Sequence, residues 1–201
     1  MKKFVFGRKV GMTQVIKEDG QVLPVTVLQV GPATVVSKVK EGAVVLLGFD
    51  EVEEKRLTKP KKGFFKKQKT KGFRVLKECS LDAASDLSVN DLVGLDQFSE
   101  DDVVTVSGKS IGKGFAGTIK RHKFGRGPMS HGSKNHRLPG SIGGGTTPGR
   151  VLKGTRMGGR LGGVRVTVKN LRVVKVDSES GLLFIKGGVP GKKGTLLEIF
   201  S

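Results

Sequence analysis

From Val103 to Val176 the chain carries no acidic residue. Sixteen lysines and arginines fall in that span, with all three histidines, His122, His131 and His136. Its middle, residues 108–163, holds 17 of the 31 glycines. A segment so polar, so Gly-rich and so poor in large apolar side chains cannot bury enough surface to build its own core. Its charge is also unbalanced, so it repels itself until an anion neutralises it. These properties predict a long loop ordered by a polyanion. RNA fits best, because glycine lets the backbone come close to phosphates and Lys and Arg pair with them. A disordered basic tail would share the composition. Against that reading, the stretch is internal, flanked by strand patterns, and keeps spaced apolar residues: Ile111, Phe115, Ile119, Phe124, Leu138, Ile142, Val151 and Leu152.

A chain of 201 residues makes one elaborated domain or two small ones. Its net charge of +19 points to nucleic acid or an anionic membrane. The charge is segregated. Lys55 to Lys77 has eleven basic residues and no acid; outside this stretch and 103–176, only 10 bases face 18 acids. An acidic-leaning body therefore carries two basic extensions. The longest apolar run, Ala43 to Phe49, is too short to span a bilayer. Arg8 and Lys9 interrupt any signal-peptide core, and no Trp or Tyr is present for an interfacial belt, so no membrane is expected. Cys79 is alone, which removes a disulfide framework and a cysteine-based zinc site. A reduced, cytoplasmic-type compartment fits.

Hydrophobic patterning predicts mainly short strands. Phe4 to Ile16 opens the body, with Gly7 and Gly11 as breaks and a turn at Glu18-Asp19-Gly20. Val22 to Val30 follows, with Pro24 at an edge or bulge position. Thr34 to Val39 and Ala43 to Phe49 read as a strand pair around Lys40-Glu41-Gly42. Lys59 to Lys71 reads as a short helix after Pro60, Arg74 to Leu76 as strand, and Asp82 to Asp91 as acidic turns. Val103 to Val106 leads into the basic stretch. Beyond it, Val164, Val166 and Val168 alternate with polar residues until the phase slips at Asn170-Leu171, as a bulge in a curved strand would require. Leu182 to Lys186 and Thr195 to Phe200 close the chain. Many Val-rich strands, Gly turns and no long amphipathic helix predict a small antiparallel β-barrel.

The motifs that suggest other chemistry are incomplete. Gly112-x-Gly114-x-x-Gly117 matches a dinucleotide fingerprint, but no acid follows before Asp177 to hold a ribose. Gly108-Lys109-Ser110 resembles the end of a P-loop whose first glycine would be Val103. The three histidines lack the carboxylate or thiolate company of a metal site. A histidine-dependent ribonuclease needs no carboxylate and remains as an alternative. Lys120 to Arg126 interleaves cations with Phe124, a pattern suited to phosphate pairing and stacking. Gly143, Gly144 and Gly145, followed by Thr146 and Thr147, read as a loop tip without a packing purpose. Lys61, Lys62, Lys66, Lys67, Lys69 and Lys71, with Phe64, Phe65 and Phe73 among them, form a second candidate RNA surface.

Several of these stretches together resemble one family, the large-subunit ribosomal protein L-three family in its bacterial form. Gly7 to Gly20 and Pro24-Val-Thr-Val27 resemble its opening. Gly108 to Gly117 and Lys120-Arg121-His122 resemble its signature. His131-Gly132, His136-Arg137, Pro139 to Gly143 and Thr147 to Arg150 resemble its central loop, and Val189-Pro-Gly191 its end. The resemblance implies a translation-protein-type β-barrel with an inserted α+β subdomain and a long basic loop. The expected division is a barrel body of 1–50, 93–107 and 164–201, an insertion at 51–92, and an rRNA-penetrating loop at 108–163. It further implies a structural constituent of the large ribosomal subunit, in the cytoplasm. Such a protein binds large-subunit rRNA near its 3′ end, nucleates early assembly, extends its loop toward the peptidyl-transferase centre, and has neighbouring large-subunit proteins as partners. Carried onto this sequence, the loop contacts fall on Lys113, Lys120, Arg121, Lys123, Arg126, His131, His136, Arg137 and Arg150, with Gly143–Thr147 at the tip. Lys109, His122, Lys134, Lys153, Arg156 and Arg160 complete the expected RNA-binding set. No catalytic residue, metal, cofactor or small-molecule substrate is expected. Two departures stand out: the glutamine that some members methylate near the tip is absent, and Thr105 replaces a common Asp or Asn. A non-ribosomal RNA chaperone or assembly factor is the alternative within the binding class.

Overall fold

The computed structural model describes residues 3–39, 44–80 and 87–201. The expected turn at Lys40-Glu41-Gly42 and part of the expected Asp82–Asp91 turns lie outside the described residues. The chain divides into two compact units, one formed by residues 1–110 with 165–201 and the other by Ile111–Val164.

The first unit is mainly β. Six strands close into a barrel: β1 (Phe4–Ile16), β2 (Val22–Val30), β7 (Val103–Lys109), β10 (Arg165–Asp177), β11 (Leu182–Lys186) and β12 (Leu196–Phe200). Their order around it is β1-β12-β7-β10-β11-β2, every pair antiparallel. A second sheet runs in the order β5 (Phe73–Cys79), β4 (Val44–Glu51), β3 (Ala33–Val39) and β6 (Leu92–Val93). β3 and all but the last residue of β4 lie in 1–50, expected to be barrel body, but they pair in the second sheet and not in the barrel. Their apolar alternation is as good as a barrel strand's, so only the pairing partners distinguish them.

Period-2 alternation lets a single strand serve two cores. In β1, Val5 points into the barrel beside Leu28, Val106, Leu183, Leu197 and Ile199. Phe4 and Phe6 point the other way, against Val35, Val45, Leu47 and Phe49 of the second sheet. The Phe4 and Phe6 rings meet edge to face at 5.0 Å, and Phe6 lies 5.2 Å from Phe49. Burying a side chain such as Phe6, which is fully inaccessible, contributes about 1.5–3 kcal/mol. The far face of the second sheet is covered by helix α1 (Lys59–Gln68), whose Phe65 packs with Val36 and Phe73.

Gly7 and Gly11 do not break β1, which continues through both and shifts register between Lys9 and Gly11. The expected bulge in β10 is present: pairing with β7 shifts between Val168 and Leu171, and Asn170 takes a left-handed φ of 57°. Pro24 sits one residue beyond the end of the β2–β11 register, where a ladder donor is dispensable. The helix ends at Gln68, three residues before the expected Lys71, because Lys69 turns left-handed and its amide closes onto Phe65 and Lys66. Burial pushes the Cys79 thiol up to about 12, which keeps it protonated and unreactive.

Two outcomes test this packing. A β-carbon on Gly108 would overlap the side chain of fully buried Leu197, whereas one on Gly63, inside α1, meets nothing within 4 Å. Gly108→Ala should lower stability by about 1–3 kcal/mol in urea unfolding, and Gly63→Ala should raise it by about 0.5–1 kcal/mol. Separately, the Lys3 ammonium donates to Asp102 at 2.6 Å and the Ser99 amide at 3.0 Å, and these bonds hold the carboxyl below its ordinary range. A lowered folded-state pKa contributes stability above the ordinary carboxylate range and loses it as pH falls through the folded value. The deficit of Asp102→Asn against the native chain should therefore be present at neutral pH and shrink in acid, read from urea midpoints across the range.

Candidate nucleic-acid interface

The second unit is built on backbone closures instead of a core. At its neck the Lys113 amide donates to Leu161 at 2.8 Å and the Leu161 amide to Gly114 at 2.9 Å. Next to these bonds, β8 (Phe115–Ala116) pairs with β9 (Gly159–Arg160), and the five-residue helix α2 (Thr118–His122) follows. The expectation of a plain loop over 108–163 missed this clip and helix, because two-residue strands and a one-turn helix have no readable periodicity. The steric reason for several glycines is internal. A β-carbon on Gly162 (φ 70°) would overlap the Ile111 carbonyl, and one on Gly127 would overlap the Asn135 carbonyl. Gly144, expected to have no packing purpose, lies where a β-carbon would come within 2.8 Å of the Thr147 carbonyl.

The histidines are not gathered into a site. His122 donates from Nε2 to the Met157 carbonyl at 3.0 Å, since a carbonyl only accepts. His136 donates from Nδ1 to the Pro128 carbonyl at 2.8 Å, and Gly127 closes the same turn onto His136 at 3.1 Å. His131 is exposed in a left-handed turn. Arg121 reaches the same Met157 carbonyl as His122, at 2.8 Å, and its guanidinium lies against the bare backbone of Gly159. Arg121 and His122 therefore fasten the returning chain, a role their expected place in the RNA-binding set did not contain. Only Met157 carries the acceptor, and nothing in its side chain signals that.

Every expected lysine and arginine of the stretch, from Lys109 to Arg160, is exposed, and residues 111–164 contain eleven of them and no carboxylate. The tip, Gly143 to Thr147, is exposed throughout. The second basic patch is built differently. Lys61, Lys66, Lys67 and Lys69 are exposed on and just after α1, Lys62 is half-buried, and Lys71 pairs with Glu51 at 3.0 Å. Its phenylalanines are core: Phe65 and Phe73 are buried and Phe64 packs beside them, so they offer no ring to a base.

A packed β body that carries the acids, joined to a separate unit whose cations all face solvent, is the build of a polyanion-binding protein. The family model of ribosomal protein L3 matches residues 76–182. The chain is 53% identical over 199 residues to the large ribosomal subunit protein uL3 of Trichormus variabilis, covering 97% of this chain and 94% of that one. It is 48% identical over 200 residues to the large ribosomal subunit protein uL3c of Cyanophora paradoxa, with 97% of this chain and 95% of that one covered. The chain belongs to the ribosomal protein L3 family.

If Arg121 and His122 fasten the return of the arm, the double variant Arg121→Ala, His122→Ala should be cut faster by protease between residues 111 and 164. Its thermal midpoint, set by the β body, should stay unchanged. Equal cleavage of the two proteins would remove the fastening role.

Proposed function

We propose that this chain is a structural constituent of the large ribosomal subunit, resident in the ribosome, that binds large-subunit rRNA directly and has neighbouring large-subunit proteins as partners. One observation carries the reading: eleven exposed cations in residues 111–164 with no carboxylate among them. Such a surface gains free energy by releasing the counterions condensed on a phosphate backbone. The work is structural, not catalytic: Lys113, Lys120, Lys123, Arg126, Lys134, Arg137, Arg150, Lys153, Arg156 and Arg160 neutralise phosphates, while His122 and His136 are spent on carbonyls of their own unit.

In this reading the six-stranded barrel is of the translation-protein type, and the second sheet with α1 is its inserted α+β subdomain. That insertion starts at β3, so the body is β1, β2, β7 and β10–β12. The acid-free arm penetrates rRNA, with Gly143–Thr147 leading toward the peptidyl-transferase centre. The exposed lysines of α1 make a second, weaker contact. Docking near the 3′ end of the rRNA places the protein early in assembly.

Affinity for a transcript of the large-subunit rRNA 3′ region should fall with salt at a log–log slope of about −0.7 to −0.9 per phosphate contact. Changing Lys120, Lys123 and Arg126 to Gln should flatten that slope by roughly two to three. A tagged chain should be stoichiometric in mature large subunits after sedimentation. Confinement to immature particles would instead identify an assembly factor.

A further inference from the structure

We propose that Phe115 is a base-stacking platform, an exposed ring fixed on the β8–β9 clip that receives one unpaired rRNA nucleobase. The proposal rests on the rRNA-binding reading above and extends it from phosphate neutralisation to a defined base-binding position.

Phe115 is 82% exposed, and the other ten phenylalanines are buried or half-buried. A ring left in water beside a strand that buries its next residue, Ala116, is not a packing residue of its own unit. Its backbone is nonetheless held on all sides. Phe115 pairs with Arg160 and Ala116 with Gly159. The two Lys113, Gly114 and Leu161 bonds close the chain just before it, and Ala116 and buried Thr118 anchor it just after. Gly158 lets one edge of the ring lie against bare backbone: a β-carbon there would sit 3.3 Å from both Cε1 and Cζ. Arg121, bonded to Met157, holds the segment that carries Gly158 and leads into β9. The ring is thus presented in advance, and a ligand need not supply the free energy of ordering it.

Charge selects the occupant. The cross-strand partner of Phe115 is the cation Arg160, in a unit that contains no carboxylate. An unpaired nucleotide offers a π-face for the ring and a phosphate for the guanidinium on one ligand. Phe124, the other aromatic of the unit, is half-buried beside His122 at 6.0 Å and is not presented in this way.

The chain has no Trp and no Tyr, so Phe115→Trp in the full chain introduces a single indole at the position in question. Adding the rRNA 3′ transcript should quench its fluorescence. Polyphosphate, which engages the same cations without bases, should not. Phe115→Leu, apolar but unable to stack, should bind the transcript about tenfold more weakly, with the salt slope unchanged. Both variants should match the native circular dichroism spectrum. Any of four results overturns the proposal: an unquenched indole in a complex of native affinity, equal quenching by polyphosphate, native affinity in Phe115→Leu, or an indole that responds to large-subunit proteins and not to rRNA. A native chain that fails to bind the transcript overturns the ribosomal reading itself, which separates the two failures.

Discussion

The arm depends on the antiparallel pairing of β7 with β10. Lys109 stands opposite Arg165 at the end of that ladder, and the 54 residues between Ser110 and Arg165 leave from one strand and return to the other. A closed barrel holds both ends in register, so the closure of a long loop is met by strand pairing and not by contacts within the loop. Loop closure grows only slowly with length, by about 0.6 kcal/mol per doubling, which is why a body this small can support so long an excursion. Placing two cations directly across a ladder is unfavourable. Glu198 on β12 relieves it, because its carboxylate takes the Arg165 guanidinium and also the Lys77 ammonium at 3.5 Å.

Charge segregation follows the same boundary. All 18 carboxylates lie outside 103–176. Within the body they are used locally: Asp102 with Lys3, Asp50 with Arg8 and Arg74, Glu51 with Lys71, Glu198 with Arg165 and Lys77. Exposed pairs of this kind stabilise little. The β body still carries a net +8 over 147 residues, but the acid-free unit carries +11 over 54, so the positive charge is denser there.

The glycines of that unit fall into two groups. Gly127 and Gly162 sit against carbonyl groups of their own chain and shape its turns. Gly112, Gly117, Gly125 and Gly145 meet nothing within 4 Å, so no contact within the chain requires the absence of a side chain there. Arg121 shows the same division in a single side chain: one guanidinium nitrogen is committed to Met157 while the residue as a whole stays exposed.

Sequence alone determined the strands of the body (all but the two-residue β6), the β10 bulge at Asn170, the separation of charge and the location of the cationic stretch. Each of these is a local property, written in period-2 alternation, glycine placement or net charge. It paired β3 with β4, as the structure does, but it did not determine which sheet that pair joins, so β3 and β4 were indistinguishable from barrel strands. Nor did it separate Phe65 and Phe73, which are core, from Phe115, which is exposed, since all three stand among lysines and glycines. Only the tertiary structure decided these points. Pairing partners, and the facing of a ring inward or outward, are set by contacts between residues distant in the chain, and no local pattern encodes them.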